Sequence, residues 1–366
     1  MSENRLNNIA SLNIIRALTS LIIVIYHAKF ILWCGGTDYL SKVGLNHWFD
    51  YPIFALDMLT SNGEPIVVCF FILSGVVISQ SYRKSKYAIT TFYGIRLIRI
   101  YIPFISSILL SILALIAVHA WTPEIFQNGI REYNSRLIVA WDELNLSTAI
   151  NSLFYQKHNE FIGLNFVYWS LLHEVIFYLL YPLYHLLKTK GRILLVLGLI
   201  LIFILTQNSI LYYQIYFLIG ILIYDYLSYS KSVPLLKNKM LYLLIIVCSY
   251  LLMTFSFIKH WKISADIFST ILSIFAFDYV ITHIQRTYNP IKKLAEFSYT
   301  LYLFHLPILL ITYSMFVLIF KEYVFYDRIF YYVGVIIAVL LCNFLFFTEK
   351  FSLFLIRGLK KKKLPI

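Results

Sequence analysis

The sequence has 366 residues, of which 60% are hydrophobic and only 13% charged, and its mean hydropathy is +0.76. Because a soluble domain carries about 25% charged residues, this composition excludes an ordinary soluble protein and predicts that most of the chain lies in lipid. The formal net charge of +13 would indicate nucleic acid only as a basic face on a soluble fold. Here the basic residues stand between apolar segments, so no nucleic-acid partner is expected.

Ten apolar segments are long enough to cross a membrane as helices, which takes about 20 residues. They cover residues 12–33, 65–81, 100–120, 166–187, 193–207, 210–227, 240–258, 264–283, 297–320 and 329–349. Only the tripeptide QNS separates the fifth segment from the sixth. One helix over 193–227 would be about 52 Å long, too long for one crossing, so we predict a tight hairpin of two helices.

The basic residues predict the orientation of these spans. With both termini in the cytoplasm, every inner segment is basic, including the tail 350–366, whereas the outer loops 34–64 and 121–165 carry more acids than bases. The positive-inside rule therefore predicts an all-α polytopic membrane bundle of about ten helices with cytoplasmic N and C termini. We expect one integral-membrane domain, 1–366, with loop 121–165 forming a small structured cap.

The cysteines and the N-terminal segment add two further expectations. Cys34, Cys69, Cys248 and Cys342 show no paired spacing, so neither a disulfide framework nor a metal site is expected. The start MSENRLNNIASLN is polar, and no small-residue cleavage site follows the first apolar run. We therefore expect no cleavable signal peptide.

The first span contains two ionisable residues, Arg16 and His27. They are 11 positions apart, so they project from nearly the same helix face and lie about 16 Å apart along the axis. An ionisable group in hydrocarbon needs a partner or a water-filled cavity, which makes it a candidate for function. The alternative is that Arg16 snorkels to the inner headgroups and His27 is a hydrogen-bonded core histidine. Histidine is also the side chain best suited to general-base catalysis near neutral pH.

The fourth span places Glu174 at its outer end, at a depth similar to that of His27. A carboxylate facing an imidazole would orient it and stabilise its protonated form. His173 projects about 100° away from Glu174, so we expect it to have a different role. The alternative is that Glu174 forms a purely structural pair between two helices.

Three other stretches carry candidate residues. Arg96 and Arg99 lie on one face of a helix that enters the membrane from the cytoplasm, where guanidinium groups suit phosphates or serve only as an ordinary basic loop. Ser74, beside Gly75, allows close helix packing or a cavity. His305 lies two residues before Pro307, which frees a backbone carbonyl, and lines a channel or is a core histidine.

Taken in order, these motifs resemble those of the acyltransferase family three membrane proteins, over residues 9–352. The series is Arg16 with ten residues to His27, then FFILSG, RLIRIYIP, WSLLHEVIFYLLYP, YFLIGIL, FSYTLYLFHLP and the late Glu349. The family consists of multi-pass enzymes that acylate cell-surface glycans, commonly by O-acetylation. Many members carry a fused extracytoplasmic esterase-like domain, which is not found in these 366 residues. Direct transfer by the spans and transfer through a separate extracytoplasmic partner therefore both remain open.

The resemblance implies a donor, an acceptor and roles for the candidate residues. The donor would be acetyl-CoA or another acyl-CoA from the cytoplasm, and the acceptor a glycan across a bacterial cytoplasmic membrane. His27 would be the catalytic centre with Glu174 as the fourth-helix acid, while Arg16, Arg96 and Arg99 would hold the donor. Attack by the sugar on the thioester and a preceding acyl-histidine intermediate both fit. The remaining candidates, for the substrate channel, are Ser74, His173, Tyr299 and His305.

Two other functions have signatures that this sequence lacks. A glycan polymerase or ligase would need a long basic external loop to grip a lipid pyrophosphate, but loop 121–165 has more acidic than basic residues. A transporter or flippase would show inverted repeats with paired Gly/Pro-broken helices, and none is evident. The sequence does not indicate an oligomeric state.

Overall fold

The computed structural model describes residues 11–84, 88–127, 129, 131–229, 234–284 and 288–362. Residues 1–10 and 363–366, which begin and end the predicted domain, lie outside the described residues. The helices are α1 (Asn13–Leu32), α2 (Gly36–Lys42), α3 (Asp50–Leu59), α4 (Gly63–Lys84), α5 (Ile89–Trp121), α6 (Glu132–Asp142), α7 (Leu146–Leu153), α8 (Tyr168–Leu186), α9 (Thr189–Thr206), α10 (Ser209–Tyr229), α11 (Lys239–Ile258), α12 (Lys262–His283), α13 (Asn289–Glu296), α14 (Ser298–Phe320), α15 (Ile329–Leu345) and α16 (Phe347–Lys362).

Within these described ranges, nine helical segments are long and apolar enough to cross a membrane. They correspond to nine of the ten predicted spans, the last running through α15 into α16. The one remaining predicted span, the fourth in chain order at 166–187, coincides with α8, a helix of 19 residues. Its His173, Glu174 and His185 lower its hydropathy, which is why it falls outside the nine. The predicted fold class, a polytopic bundle of α-helices, is confirmed; the cytoplasmic position of the termini remains a prediction.

The predicted hairpin between the fifth and sixth spans is also confirmed. Gln207 ends α9 in the left-handed region, with φ of 52°, and its amide donates to the carbonyl of Phe203. The side chain of Asn208 then accepts hydrogen bonds from the amides of Ile210 and Leu211. The side-chain oxygen thereby satisfies donors that the first turn of a helix leaves without partners, so α10 starts at once in a new direction.

The chain divides into two compact units. The first comprises Met1–Thr19, Asn62–Tyr93 and His173–Glu296, and the second comprises Ser20–Ser61, Gly94–Leu172 and Phe297–Ile366. Helix α1 contributes Arg16 to the first unit and His27 to the second. The expectation of a single domain remains untested.

The first unit depends on a close approach of α4 and α10. A Cβ added at Gly75 would lie 2.2 Å from the carbonyl oxygen of Phe217, and one at Gly220 would lie 2.1 Å from that of Ile72. Both distances are far below van der Waals contact, so only glycine fits at either position. The close-packing interpretation of the Ser74–Gly75 stretch is thus confirmed.

Charged residues in the first unit are paired at the end of α10. The carboxylate of Asp225, 1% exposed, accepts from the guanidinium of Arg83 at 2.6 Å and from that of Arg192. Arg192 also donates to the carbonyls of Tyr184 and His185 at the end of α8. Because a buried charge is tolerated only when paired and hydrogen-bonded, this cluster fixes how four helices meet, α4, α8, α9 and α10.

In the second unit, the segment 34–64 is tied to α1 and α15. The ammonium of Lys29, 5% exposed, donates to the carbonyl of Asp57 and to the hydroxyls of Thr60 and Ser61. A cation near the last carbonyls of a helix is favourable, so Lys29 caps α3. The Asp57 carboxylate in turn accepts from Arg328 at 2.6 Å.

The segment 121–165 folds into α6, α7 and two short 3₁₀ turns, which confirms that it is structured; its position as an external cap remains a prediction. Asn145 caps α7 by accepting from the amide of Thr148. Burial would raise the pKa of the Glu143 carboxyl, but hydrogen bonds from the His158 side chain and the Glu160 and Asn159 amides lower that pKa overall. Residues 128 and 130 of this segment lie outside the described residues.

Candidate active site

The most distinctive feature of the second unit is a pair of imidazoles, His27 on α1 and His305 on α14. The Nδ1 of His27 lies 2.7 Å from the Nε2 of His305, and the rings are within 7° of parallel. His305 is completely buried, whereas His27 is half-buried. The histidine predicted as the catalytic centre therefore has a second histidine as its partner.

The backbone determines how the protons are distributed in this pair. The Nδ1 of His305 lies 2.8 Å from the carbonyl oxygen of Leu301, one turn earlier in α14. Since a carbonyl only accepts, Nδ1 of a neutral His305 carries the hydrogen and Nε2 presents its lone pair. His27 must then donate from Nδ1, which leaves the lone pair on its own Nε2. A neutral pair thus presents a base at His27 Nε2.

Pro307 anchors the helix around His305. Proline lacks an N–H, so the carbonyl of Leu303, four residues earlier, loses its helical donor. The hydroxyl of Ser107 donates to that carbonyl at 2.7 Å, and the amide of Asn165 donates at 3.0 Å. The carbonyl that the sequence predicted to be freed is therefore satisfied by two side chains from other elements.

Phe166, the residue after Asn165, connects the contacts around the Leu303 carbonyl to His27. The ring of Phe166 meets the His27 ring edge-to-face, with centroids 5.1 Å apart. The guanidinium of Arg136 lies over Phe166, 4.6 Å from its centroid, and forms a bidentate pair with Glu160 at 2.6 and 2.8 Å. Burial would lower the pKa of Arg136, but its hydrogen bonds to Glu160 raise it. Phe166 is thus held between a fixed cation and the imidazole.

Glu174 lies on α8 in the first unit, whereas His27 belongs to the second. Its carboxylate accepts from the hydroxyl of Tyr178 and, at 3.5 Å, from that of Ser74. The pairing of Glu174 with His27 remains a prediction. Ser74, a channel candidate in the sequence, contacts the acid instead.

His173, the neighbour of Glu174, is surrounded by aromatic rings. Its own ring is buried, 4.5 Å from that of Tyr213 and 6.2 Å from that of Phe71, measured between centroids. These contacts suit a packed core position. The channel role proposed for His173 remains untested.

The residues expected to hold the donor lie on two helices. Arg16 is half-buried on α1, about three turns before His27. On α5, Arg96 is buried and Arg99 is half-buried. The hydroxyl of Tyr299 on α14 donates to the carbonyl of Ile100 at 3.3 Å, so this candidate lies beside the arginine-bearing turn of α5. Helix α14 therefore carries Tyr299 near those arginines and His305 against His27.

Sequence reasoning missed Asn165, Phe166 and Lys29 as residues that shape this site. The sequence signal near Asn165 was the glycine at position 163. In the structure Gly163 has φ of 64°, and a Cβ added there would lie 2.6 Å from Ser111. Lys29 was counted only as an external base. Over the described ranges, no three His, Cys, Asp or Glu side chains are grouped as a metal site requires.

These features define a multi-pass helical membrane protein whose first helix carries a half-buried histidine in contact with a completely buried one. The family model described as an acyltransferase domain, that of acyltransferase family 3, matches residues 9–348. The chain belongs to this family and is a membrane acyltransferase. Comparison with curated proteins and with solved structures found no match.

Proposed function

We propose that the chain transfers an acyl group, most specifically acetyl, from cytoplasmic acyl-CoA to a hydroxyl of a cell-surface polysaccharide or its lipid-linked precursor. His27 is the general base. The observation that carries this proposal is the hydrogen-bond series from the Leu301 carbonyl through His305 to His27, which leaves the Nε2 of His27 unprotonated. A base must have its lone pair available and its ring orientation fixed, and this series supports both.

The reaction is a direct transfer. The Nε2 of His27 takes the proton of the sugar hydroxyl as its oxygen attacks the thioester carbonyl. The carbon–sulfur bond of the tetrahedral intermediate then breaks, and the proton on His27 passes to the departing CoA thiolate. The products are an acyl ester of the glycan and CoA with a free thiol, so no other reactant is consumed.

Protonation of His27 creates a cation that must be stabilised. The neutral His305 accepts from Nδ1 of His27 throughout, so it holds the ring in place without competing for the proton. Glu174 supplies the compensating negative charge, the role that an acid has beside a catalytic imidazole. Its hydrogen bonds from Tyr178 and Ser74 keep that carboxylate in one orientation.

The donor enters from the cytoplasm. Arg96 and Arg99 bind the CoA phosphates, since guanidinium groups form paired hydrogen bonds with phosphate oxygens, and Arg16 lies at the entrance used by the thioester arm. With the cytoplasmic termini that the basic loops indicate, the N-terminal end of α1 faces the donor and its His27 end faces the acceptor. The enzyme is a multi-pass protein of the bacterial cytoplasmic membrane.

The base is tested by a His27→Ala variant in membranes supplied with acetyl-CoA. We expect glycan acylation to fall by about 10²- to 10⁴-fold, the usual contribution of general acid–base catalysis, in a protein that still folds. The exposed His47 provides the control, since His47→Ala should keep full activity. Unchanged acyl content of the glycan from His27→Ala cells would contradict the assignment.

The donor site is tested by CoA binding to the purified protein. The double variant Arg96→Ala, Arg99→Ala should bind CoA about tenfold more weakly or worse, because a hydrogen bond to a charged group contributes about 1.5–3 kcal/mol. Arg357→Ala, which removes an exposed base from the predicted cytoplasmic tail, is the matched control. Equal affinity in the double variant would mean that the two arginines serve topology alone.

A further inference from the structure

A cavity of about 400 Å³ opens beside the C-terminal end of α1, within the second unit. This volume lies in the range of about 300–1,000 Å³ found for small-molecule sites. Its wall combines aromatic rings with two carboxylates: Tyr26, Phe30, Trp33, Tyr133, Asp38 and Glu132. Neither the family match nor the residues assigned above gives this cavity a role.

The two cations in the wall are already occupied by protein oxygens. Lys29 donates to the carbonyl of Asp57 and to two hydroxyls. Arg131 donates to the carbonyls of Phe30, Ile31 and Trp33 at the end of α1. Both side chains therefore have few donors left for a ligand, and the cavity does not resemble a site for an anion.

Unlike the two cations, the two carboxylates of the wall have no hydrogen-bond partner among the described residues. Asp38 and Glu132 are exposed, and across the described part of the chain neither carboxylate has a hydrogen bond or an ion pair within the structure. An ionised carboxylate only accepts hydrogen bonds. The cavity thus offers unused acceptors next to the half-buried rings of Tyr26 and Phe30, which suits a ligand with several hydroxyl donors on an otherwise apolar ring.

We propose that this cavity binds an uncharged sugar ring of the acceptor, with its hydroxyls donating to Asp38 and Glu132 and its C–H faces against the aromatic side chains. The inference rests on the proposed function and adds to it a location and a selectivity. A sugar that carries a carboxylate would place its charge against Asp38 and Glu132, and Lys29 and Arg131, which already donate to protein oxygens, have few donors left to compensate for it.

The cavity lies next to the proposed base. Tyr26 and Phe30 flank His27 on α1, and the Tyr26 ring lies 5.2 Å from the His27 ring between centroids. The Phe30 ring meets that of Phe166 at 6.3 Å, and Phe166 meets His27 at 5.1 Å. A ring held in this cavity is therefore one aromatic layer from the imidazole.

Cys34 allows binding to be measured without any acyl transfer, because its half-buried thiol is part of the cavity wall. Burial raises the pKa of this thiol to about 11, so its alkylation is followed with iodoacetamide, which withstands the mildly alkaline pH that forms thiolate. A Cys248→Ser background removes the exposed cysteine, and Cys69 and Cys342 are buried. The modified peptide is quantified by mass spectrometry.

The probes are methyl glucoside, methyl galactoside and N-acetylglucosamine, compared with glucuronate. We expect the neutral sugars to slow alkylation of Cys34 and glucuronate to have little effect. Asp38→Asn and Glu132→Gln should each weaken this protection by about tenfold, the loss expected for a hydrogen bond to a charged group. Asp142→Asn alters an exposed acid on the same helix as Glu132. In this control variant the neutral sugars should protect Cys34 as well as they do in the parent.

Two results would overturn the inference. Labelling that no neutral sugar slows would show that the cavity does not bind a sugar, and protection by glucuronate equal to that by methyl glucoside would remove the selectivity. Failure of the proposed function is distinguishable, since it appears as acyl-CoA turnover that does not depend on His27. Protection of Cys34 needs no turnover, so it supports or contradicts the cavity assignment by itself.

Discussion

The Nε2 of His305 lies 2.7 Å from the Nδ1 of His27, although the two residues are 278 positions apart in the chain. Because the Leu301 carbonyl fixes the hydrogen on the far side of His305, the contact selects one tautomer of His27. For the base proposed at His27, His305 would therefore act as a positioning residue.

The first prediction concerns the acceptor that His305 provides. His305→Leu removes it and should lower the rate of acyl transfer by about 10²-fold or more, within the range of general acid–base catalysis. His305→Gln keeps an oxygen that can accept from His27 and should recover part of that loss. Initial rates of CoA release measure both. A glutamine variant no better than the leucine variant would exclude the tautomer role.

A second prediction concerns the charge of Glu174. Glu174→Gln keeps an oxygen to accept from Tyr178 and Ser74 but removes the negative charge, so turnover should fall by about 10²-fold with little change in thermal stability. Tyr178→Phe keeps the charge and removes one hydrogen bond, and it should affect turnover less. Parallel activity and melting measurements separate the two. A Glu174→Gln protein that loses stability in proportion to activity would favour a structural role.

A third prediction follows from Pro307 inside α14. Asn165→Ala removes one of the two side-chain donors to the Leu303 carbonyl and should cost about 0.5–1.5 kcal/mol of stability, the usual net contribution of one hydrogen bond. Pro307→Ala restores a backbone N–H that reaches the same carbonyl. The Asn165→Ala penalty should therefore shrink in that background. Thermal unfolding in detergent of the parent, the two single variants and the double variant gives this double-mutant cycle. An equal loss of stability from Asn165→Ala in both backgrounds would contradict the prediction.

A fourth prediction uses the helix contact between Gly75 and Gly220. Gly75→Ala and Gly220→Ala each place a methyl group within 2.2 Å of a backbone oxygen, so each should destabilise the protein by about 1–3 kcal/mol or more. Gly198 is the matched control, because a Cβ there meets nothing within 4 Å. Gly198→Ala should be neutral or stabilising through its higher helix propensity. Equal melting temperatures for all three variants would contradict the contact.

A fifth prediction concerns pH and the segment 121–165. The pKa of Glu143 is lowered in the folded protein, so its contribution to stability is present above the unfolded pKa of about 4.3 and is lost as the pH falls through the lower folded value. The free energy of unfolding of Glu143→Gln should therefore be about 1 kcal/mol lower than that of the parent at pH 7. In strong acid the two proteins should have the same stability. A gap that persists in acid would assign the effect to something other than the charge.

The spans were predictable from the sequence because hydropathy and helix length are local properties. The hairpin at 207–209 followed from the length of one crossing, and the close contact at Gly75 followed from a small residue inside a bulky run. Helices α2 and α3 were missed, since they are short and lie in segments of mixed composition. The fourth span was predicted correctly as a helix even though its polar residues make it the least apolar of the ten.

The candidate site was predictable only residue by residue. Periodicity showed that Arg16 and His27 share a face, but it does not reveal which distant helix a face meets. The partner of His27 is on α14, where the sequence predicts for His305 a channel or a core position and not a contact with His27. The pairing of His27 with Glu174 was inferred from equal depth, and depth does not determine which neighbours a side chain contacts.

Arg131 joins the segment 121–165 to the helix that carries His27. Its guanidinium is bound to three carbonyls at the end of α1, only a few residues beyond that histidine. These carbonyls have no later turn of helix to bond with, so lifting the segment away would strip all three of a charged donor at once. The segment and the end of α1 that carries His27 are thus joined through Arg131, and a displacement of the segment would disturb the backbone beside the proposed base.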